Sequence, residues 1–167
     1  MKKYLLLSAI VLIALNAFAQ RTSKILTLGP DENYSYENTF DAPGKSKDEI
    51  FASIKSWVIK TVKTQSNTNY FDEIDKKSIS TAPVFACSWG SMTNFKLNID
   101  IKDGRYRISA NSFIWYSGTT ATSVTLGKFK EAGINKKTTY QIIDDVDAEF
   151  SKMLISIQSA IEKKSDW

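Results

Sequence analysis

The sequence predicts an α+β domain in which an antiparallel sheet has two helices packed on one face. The evidence is a long alternating hairpin at 92–102 and 105–116, together with amphipathic stripes of helical period at about 46–63 and 145–163. A strand with a period of two buries one face, and a helix with a period near 3.6 buries one stripe. Each element has one apolar surface to cover, so the helices are expected to pack on the sheet.

Residues 1–19 have the pattern of a cleavable signal peptide. Two lysines precede an uncharged apolar run over 4–18, and Ala17-Phe18-Ala19 supplies the small-x-small pattern of a cleavage site. The run is shorter than the ~20 apolar residues that span a bilayer. We expect cleavage near Ala19-Gln20 and export to the periplasm or the cell exterior, with an uncleaved anchor as the alternative.

The remainder, 20–167, is predicted to form a single domain with little net charge. Without Lys2 and Lys3 the formal charge falls from +4 to about +2. Because nucleic-acid binding needs a clustered basic excess, no nucleic-acid partner is expected. Cys87 is the single cysteine and lies in an apolar run, so it cannot close an internal disulfide and is expected to be a buried, inert thiol.

The elements follow in order after a polar N-terminal lead-in over 20–33. A strand alternates over 34–41, and a capping box of Ser46 and Glu49 begins the first helix, with Trp57 as its core anchor. Short extended segments are predicted at 70–75 and 78–85.

Asp103-Gly104 suits the tight turn of the hairpin. The stretch 117–143 is predicted to be a long loop with an extended piece at 123–126, and a loop of that length is a mild indication of function. The acids at 144–147 would complement the dipole at the start of the second helix.

Several chemistries are excluded by composition. The chain has no histidine, and its glycines form neither a dinucleotide loop nor a phosphate loop. We therefore predict no catalytic residue, no metal site and no cofactor. A carboxylate-dependent glycan-processing enzyme remains the alternative. Its acids would come from two clusters: Asp72, Glu73 and Asp75, and Asp144, Asp145, Asp147 and Glu149.

The hairpin supplies the candidate binding residues. Strict alternation places a set of basic and aromatic side chains on the face opposite Tyr106, Ile108 and Ile114. Basic and aromatic groups together suit a glycan or an anionic polymer. The 117–143 loop is expected to cover the two aromatics, and an exposed ligand surface is the alternative. The candidate residues are Lys96, Arg105, Arg107, Phe113 and Trp115.

The run Phe40 to Trp57, followed by Phe95 to Asn111 with its Lys102-Asp103-Gly104-Arg105 core, resembles an exported Bacteroidetes family, domain of unknown function 4468. The resemblance implies a fold like that of the TATA-binding protein, in the order βαββββα. It implies no activity, so no functional residue is transferred from the family.

Together these observations predict an exported, non-catalytic binding or envelope-associated module. Its partner would be a glycan, an anionic envelope polymer or another envelope protein. A homo-oligomer formed through an edge strand is a further class, because the unpaired backbone of an edge strand is a template for another strand.

Overall fold

The computed structural model describes residues 23–62, 69–72, 74–118 and 122–162, and the signal peptide predicted at 1–19 lies outside them. An eight-stranded antiparallel sheet and two α-helices make up the fold. The elements are β1 (Thr27–Leu28), β2 (Tyr34–Asp41), α1 (Lys47–Thr61), β3 (Tyr70–Phe71), β4 (Ser78–Thr81), β5 (Val84–Ala86), β6 (Met92–Lys102), β7 (Arg105–Tyr116), β8 (Ser123–Thr125) and α2 (Lys136–Glu162).

The hairpin of β6 and β7 forms the centre of the sheet, as predicted. Gly104 has a φ of 71°, which the tight turn requires and which glycine adopts without steric cost. The two-residue turn pairs Lys102 directly with Arg105. The sheet runs in the order β1-β2-β7-β6-β4-β3, while β5 pairs with β6 and β8 pairs with β7 at the open end of the hairpin.

Helix α1 begins where the capping box predicts. The Ser46 hydroxyl accepts a hydrogen bond from the backbone N–H of Glu49, and the Glu49 carboxylate accepts one from the backbone N–H of Ser46 at 2.8 Å. The predicted core anchor is also confirmed. Trp57 is buried, and its Nε1 donates to Ser156 Oγ of α2 at 2.8 Å, which ties the two helices together.

Helix α2 begins at Lys136, nine residues before the predicted start near 145. Asn135 caps it, because its side-chain Oδ1 accepts from the backbone N–H of Thr138 at 2.9 Å. Apolar residues Ile142 and Ile143 extend the buried stripe into this first part. The prediction that the acids at 144–147 stand at the helix start is therefore wrong, since they lie beyond its first turn and cannot complement its dipole.

Both helices pack on one face of the sheet, so the predicted α+β class is confirmed. Phe150 of α2 is fully buried and touches the rings of Tyr36, Phe95 and Phe113 with centroid separations of 5.0, 5.6 and 5.9 Å. Neither helix is long and apolar enough, over the described residues, to cross a membrane.

Three smaller predictions need correction or refinement. The lead-in over 20–33 contains β1, which pairs with β2. The segment predicted as one extended piece at 78–85 is divided into β4 and β5 around Pro83. The predicted loop 117–143 is shorter than expected because α2 takes up its last part, and β8 occupies the extended piece expected at 123–126.

Candidate binding face

A bulge in β7 changes which side chains share a face. Between the pairs Asn94–Ile114 and Lys96–Asn111, β7 has one residue more than β6. Ser112 takes up the extra residue with a φ of 57°, a left-handed conformation. An inserted residue reverses the alternation of every side chain beyond it. The prediction that Phe113 and Trp115 share a face with the arginines is therefore wrong.

The two aromatic side chains lie in the core. Phe113 is 1% exposed and stacks on Phe95, with ring centroids 4.8 Å apart and an interplanar angle of 14°. Trp115 is 8% exposed and meets Phe129 edge to face at 5.7 Å. Phe129 lies within 117–143, so that stretch does cover Trp115 as expected, but on the helix side of the sheet. Ile114 takes the opposite face instead and is half-buried.

The other face of the sheet is polar, and no helix of the described residues covers it. Core residues at alternate positions face the helices, so their neighbours on β2, β6 and β7 project to the opposite side, here called the outer face. Arg105, Arg107 and Lys96 of the candidate set are exposed there. Three of the five predicted binding residues thus remain on one accessible surface.

Arg107 is already paired on the outer face. Its Nε and Nη2 donate to Asp100 Oδ2 at 3.1 and 2.7 Å, and its Nη1 lies 3.8 Å from Glu37 Oε1. The hydrogen bonds that Arg107 donates to Asp100 hold the pKa of its guanidinium above its usual range. Because carboxylates of the neighbouring strands neutralise its charge, Arg107 holds those side chains in place more than it attracts a ligand.

Arg105 and Lys102 form the accessible cationic pair. They lie opposite each other next to the hairpin turn, and neither makes an ion pair with another described residue. Both line a shallow depression of about 300 Å³ on the outer face. The depression is lined by three cations, Lys102, Arg105 and Arg107, by the carboxylate of Asp100, and by Thr39 and Tyr106. The depression is therefore net positive and suits a carboxylate, sulfate or phosphate group.

Lys96 stands apart from this depression. It lies on the outer face beside the bulge, opposite Asn111. Lys102 lies six positions further along β6, which is about 20 Å of extended chain. A small anion cannot touch both lysines, whereas an extended polymer can.

The second acidic cluster has structural partners. Asp145 Oδ2 accepts from the backbone N–H of Ser88 at 2.8 Å and so holds the 3-10 turn Ser88–Gly90 against α2. Asp147 is 7% exposed and accepts from the Ser23 hydroxyl and from the backbone N–H of Lys24, which anchors the N-terminal segment. These two carboxylates are engaged in holding the fold together.

The first acidic cluster and Cys87 also have local explanations. Asp72 Oδ1 accepts from the backbone N–H of Asp75 in the turn before β4, while Glu73 lies outside the described residues. Cys87, predicted to be buried, is half-buried; this partial burial raises the pKa of its thiol, whose sulfur lies 3.4 Å from Thr93 Oγ1. Within the described part of the chain, no group of three or more metal-ligating side chains converges.

The residues that sequence reasoning missed are Lys102 and Asp100. Both follow from counting back from the two-residue turn: a register fixed at Asp103-Gly104 places Lys102 opposite Arg105 and Asp100 opposite Arg107. The bulge had no comparable signal, because Ser112 is an unremarkable residue in an alternating strand.

Comparison with known proteins agrees with the fold. Residues 36–115 match the family model described as a domain of unknown function, DUF4468, with a TBP-like fold, so the predicted resemblance is confirmed. No curated protein matches the chain.

Two solved structures are similar in fold. One is a TBP-like protein from Parabacteroides distasonis, with a TM-score of 0.67 and 13% identity, covering 82% of this chain and 97% of that one. The other is a DUF4468 family protein from Bacteroides ovatus, with a TM-score of 0.60 and 13% identity, covering 83% and 92% respectively. At this identity the likeness shows the fold alone.

Proposed function

We propose that this chain, whose residues 36–115 match the DUF4468 family model with its TBP-like fold, is an exported, non-catalytic module that binds an anionic envelope polymer or acidic glycan on its outer face. The observation that carries the proposal is the net-positive depression around Lys102 and Arg105. A sheet face left free by both helices gives a polymer an open approach to it.

Charge and hydrogen-bonding groups on the outer face support this partner. Lys102 and Arg105 attract an anionic group, and Lys96 offers a third cation on the same strand as Lys102. Between them, the Asn98 amide and the Ser80 hydroxyl hydrogen-bond each other at 2.7 Å and are partly exposed. Such amide and hydroxyl groups match the hydroxyls of a sugar chain.

Export is the second part of the proposal. It rests on the signal-peptide pattern of 1–19. The intact mass of the protein recovered from its native host tests it: a chain beginning at Gln20 is expected. Recovery of a chain that retains Met1 would contradict export with cleavage.

Binding is tested with polygalacturonate and polyphosphate as anionic probes and dextran as the neutral control. We expect both anions to bind and dextran not to bind, with affinity falling as salt rises because the charges are exposed. The Lys102→Ala/Arg105→Ala variant should weaken binding about tenfold, the effect of losing two exposed ion pairs.

The matched control is Lys60→Ala/Lys137→Ala, which removes two exposed lysines from the helices and leaves the net charge equal to that of the first variant. It should bind like the wild type. Equal weakening by the two variants would mean that only overall charge matters, and the proposed site would be wrong. Binding to polyphosphate but not to polygalacturonate would identify phosphate as the recognised group.

A further inference from the structure

Strand β2 has one side that is largely unpaired. Along one side it pairs with β7 from Tyr36 to Asp41. Along the other side β1 reaches only Ser35 and Tyr34, and no other described strand pairs there. The open edge, 36–41, is therefore about 20 Å long. Unpaired N–H and C=O groups on such an edge are a template for an added strand.

A depression lies beside this edge on the helix side. Its volume is about 540 Å³, within the usual range for binding pockets. Phe40 and Tyr106 stack at its wall with centroids 5.3 Å apart, and Ile161 of α2 contributes a third apolar side chain. Because alternate residues of a strand point to the same face, an added strand would direct every second side chain toward this depression.

The opposite face of the same edge is acidic. Glu37 and Asp41 are exposed on either side of Thr39 and project to the outer face, where Glu37 lies 3.8 Å from Arg107 and Asp41 is the strand partner of Arg105. If a second copy paired with this edge about Thr39, Glu37 would lie opposite Asp41, and like charges facing each other destabilise a strand pair. A strand with basic residues four positions apart is complementary instead.

We propose that the open edge of β2 receives an extended, basic peptide segment of a partner protein. The segment adds a strand to the sheet, places its basic side chains opposite Glu37 and Asp41, and inserts an apolar side chain into the depression beside Phe40. This site recognises the opposite charge from the outer-face depression, although Thr39 and Tyr106 line both, so the basic peptide and the anionic polymers test the two proposals separately.

The test uses synthetic octapeptides that carry two lysines four residues apart and a phenylalanine on the alternate face, with fluorescence anisotropy as the readout. Two derivatives are N-methylated at alternate residues: one at the odd positions of the peptide and the other at the even positions. Only alternate residues of an added strand bond to the edge. One derivative should therefore bind like the parent, and the other should lose binding. Equal binding by both derivatives, or no binding by the parent, would overturn the proposal.

Charge reversal on the protein completes the test. The Glu37→Lys/Asp41→Lys variant should bind the lysine peptide about 2- to 30-fold more weakly and a glutamate analogue more tightly. The control, Glu32→Lys/Glu131→Lys, makes the same change in net charge at exposed positions elsewhere and should bind like the wild type. Light scattering on the protein alone should report a monomer. A dimer that the edge variant alters would mean that a second copy occupies the edge, and would overturn the proposed partner.

Discussion

The bulge at Ser112 leads to a sharp prediction for two neighbouring residues. Truncation of Phe113 to alanine removes a ring that is 1% exposed and packs against Phe95 and Phe150. Such a loss in a core typically costs about 3–5 kcal/mol. Ile114 is half-buried on the outer face. The Ile114→Ala variant is therefore expected to cost about 1 kcal/mol, the usual effect outside the core.

Urea unfolding followed by circular dichroism measures both costs. Because small domains have only about 5–15 kcal/mol of stability, Phe113→Leu is included as a milder variant that still folds. It should remain less stable than Ile114→Ala. The reverse order of stability, with Ile114 the more sensitive position, would mean that β7 alternates strictly and has no bulge at Ser112.

Three further changes test other parts of the fold. Burial raises the pKa of Tyr106 from 10.0 to about 12. Ionisation of Tyr106 therefore opposes folding, and the free energy of unfolding should fall by about 3 kcal/mol as pH rises through this range. The Tyr106→Phe variant should lose less stability in alkaline unfolding, and a pH profile identical to that of the wild type would contradict the shift. Ser46→Ala removes the cap of α1 and should cost about 1 kcal/mol in urea unfolding, whereas no loss would mean that the cap is unimportant. Asp147→Asn weakens the anchor of the N-terminal segment, so hydrogen exchange at Lys24 should accelerate, and unchanged exchange would refute that role.

Much of the fold could be predicted from local patterns. The capping box of Ser46 and Glu49 and the turn at Asp103-Gly104 depend on residues close in sequence, so their signals are complete within a few positions. The start of α2 was missed because Asn135 and the threonines that follow it have weak helix propensity, and packing of Ile142 and Ile143 overrides that preference.

The candidate site was predicted only in part, for a different reason. Arg105 and Arg107 lie before the bulge, so simple alternation places them correctly on the outer face. Phe113 and Trp115 lie after it, and a single left-handed residue transfers both to the core. The open edge of β2 depends on how far β1 extends along it, and that length is a property of long-range pairing.

Nuclear magnetic resonance mapping with polygalacturonate tests the proposed anion site most directly. Backbone amide shifts are followed as the polymer is added to the labelled chain. The largest changes are expected around Lys102 and Arg105, extending toward Lys96, with the exposed surface of α1 unaffected. Changes centred on the helices, with the outer face unchanged, would contradict the proposed site.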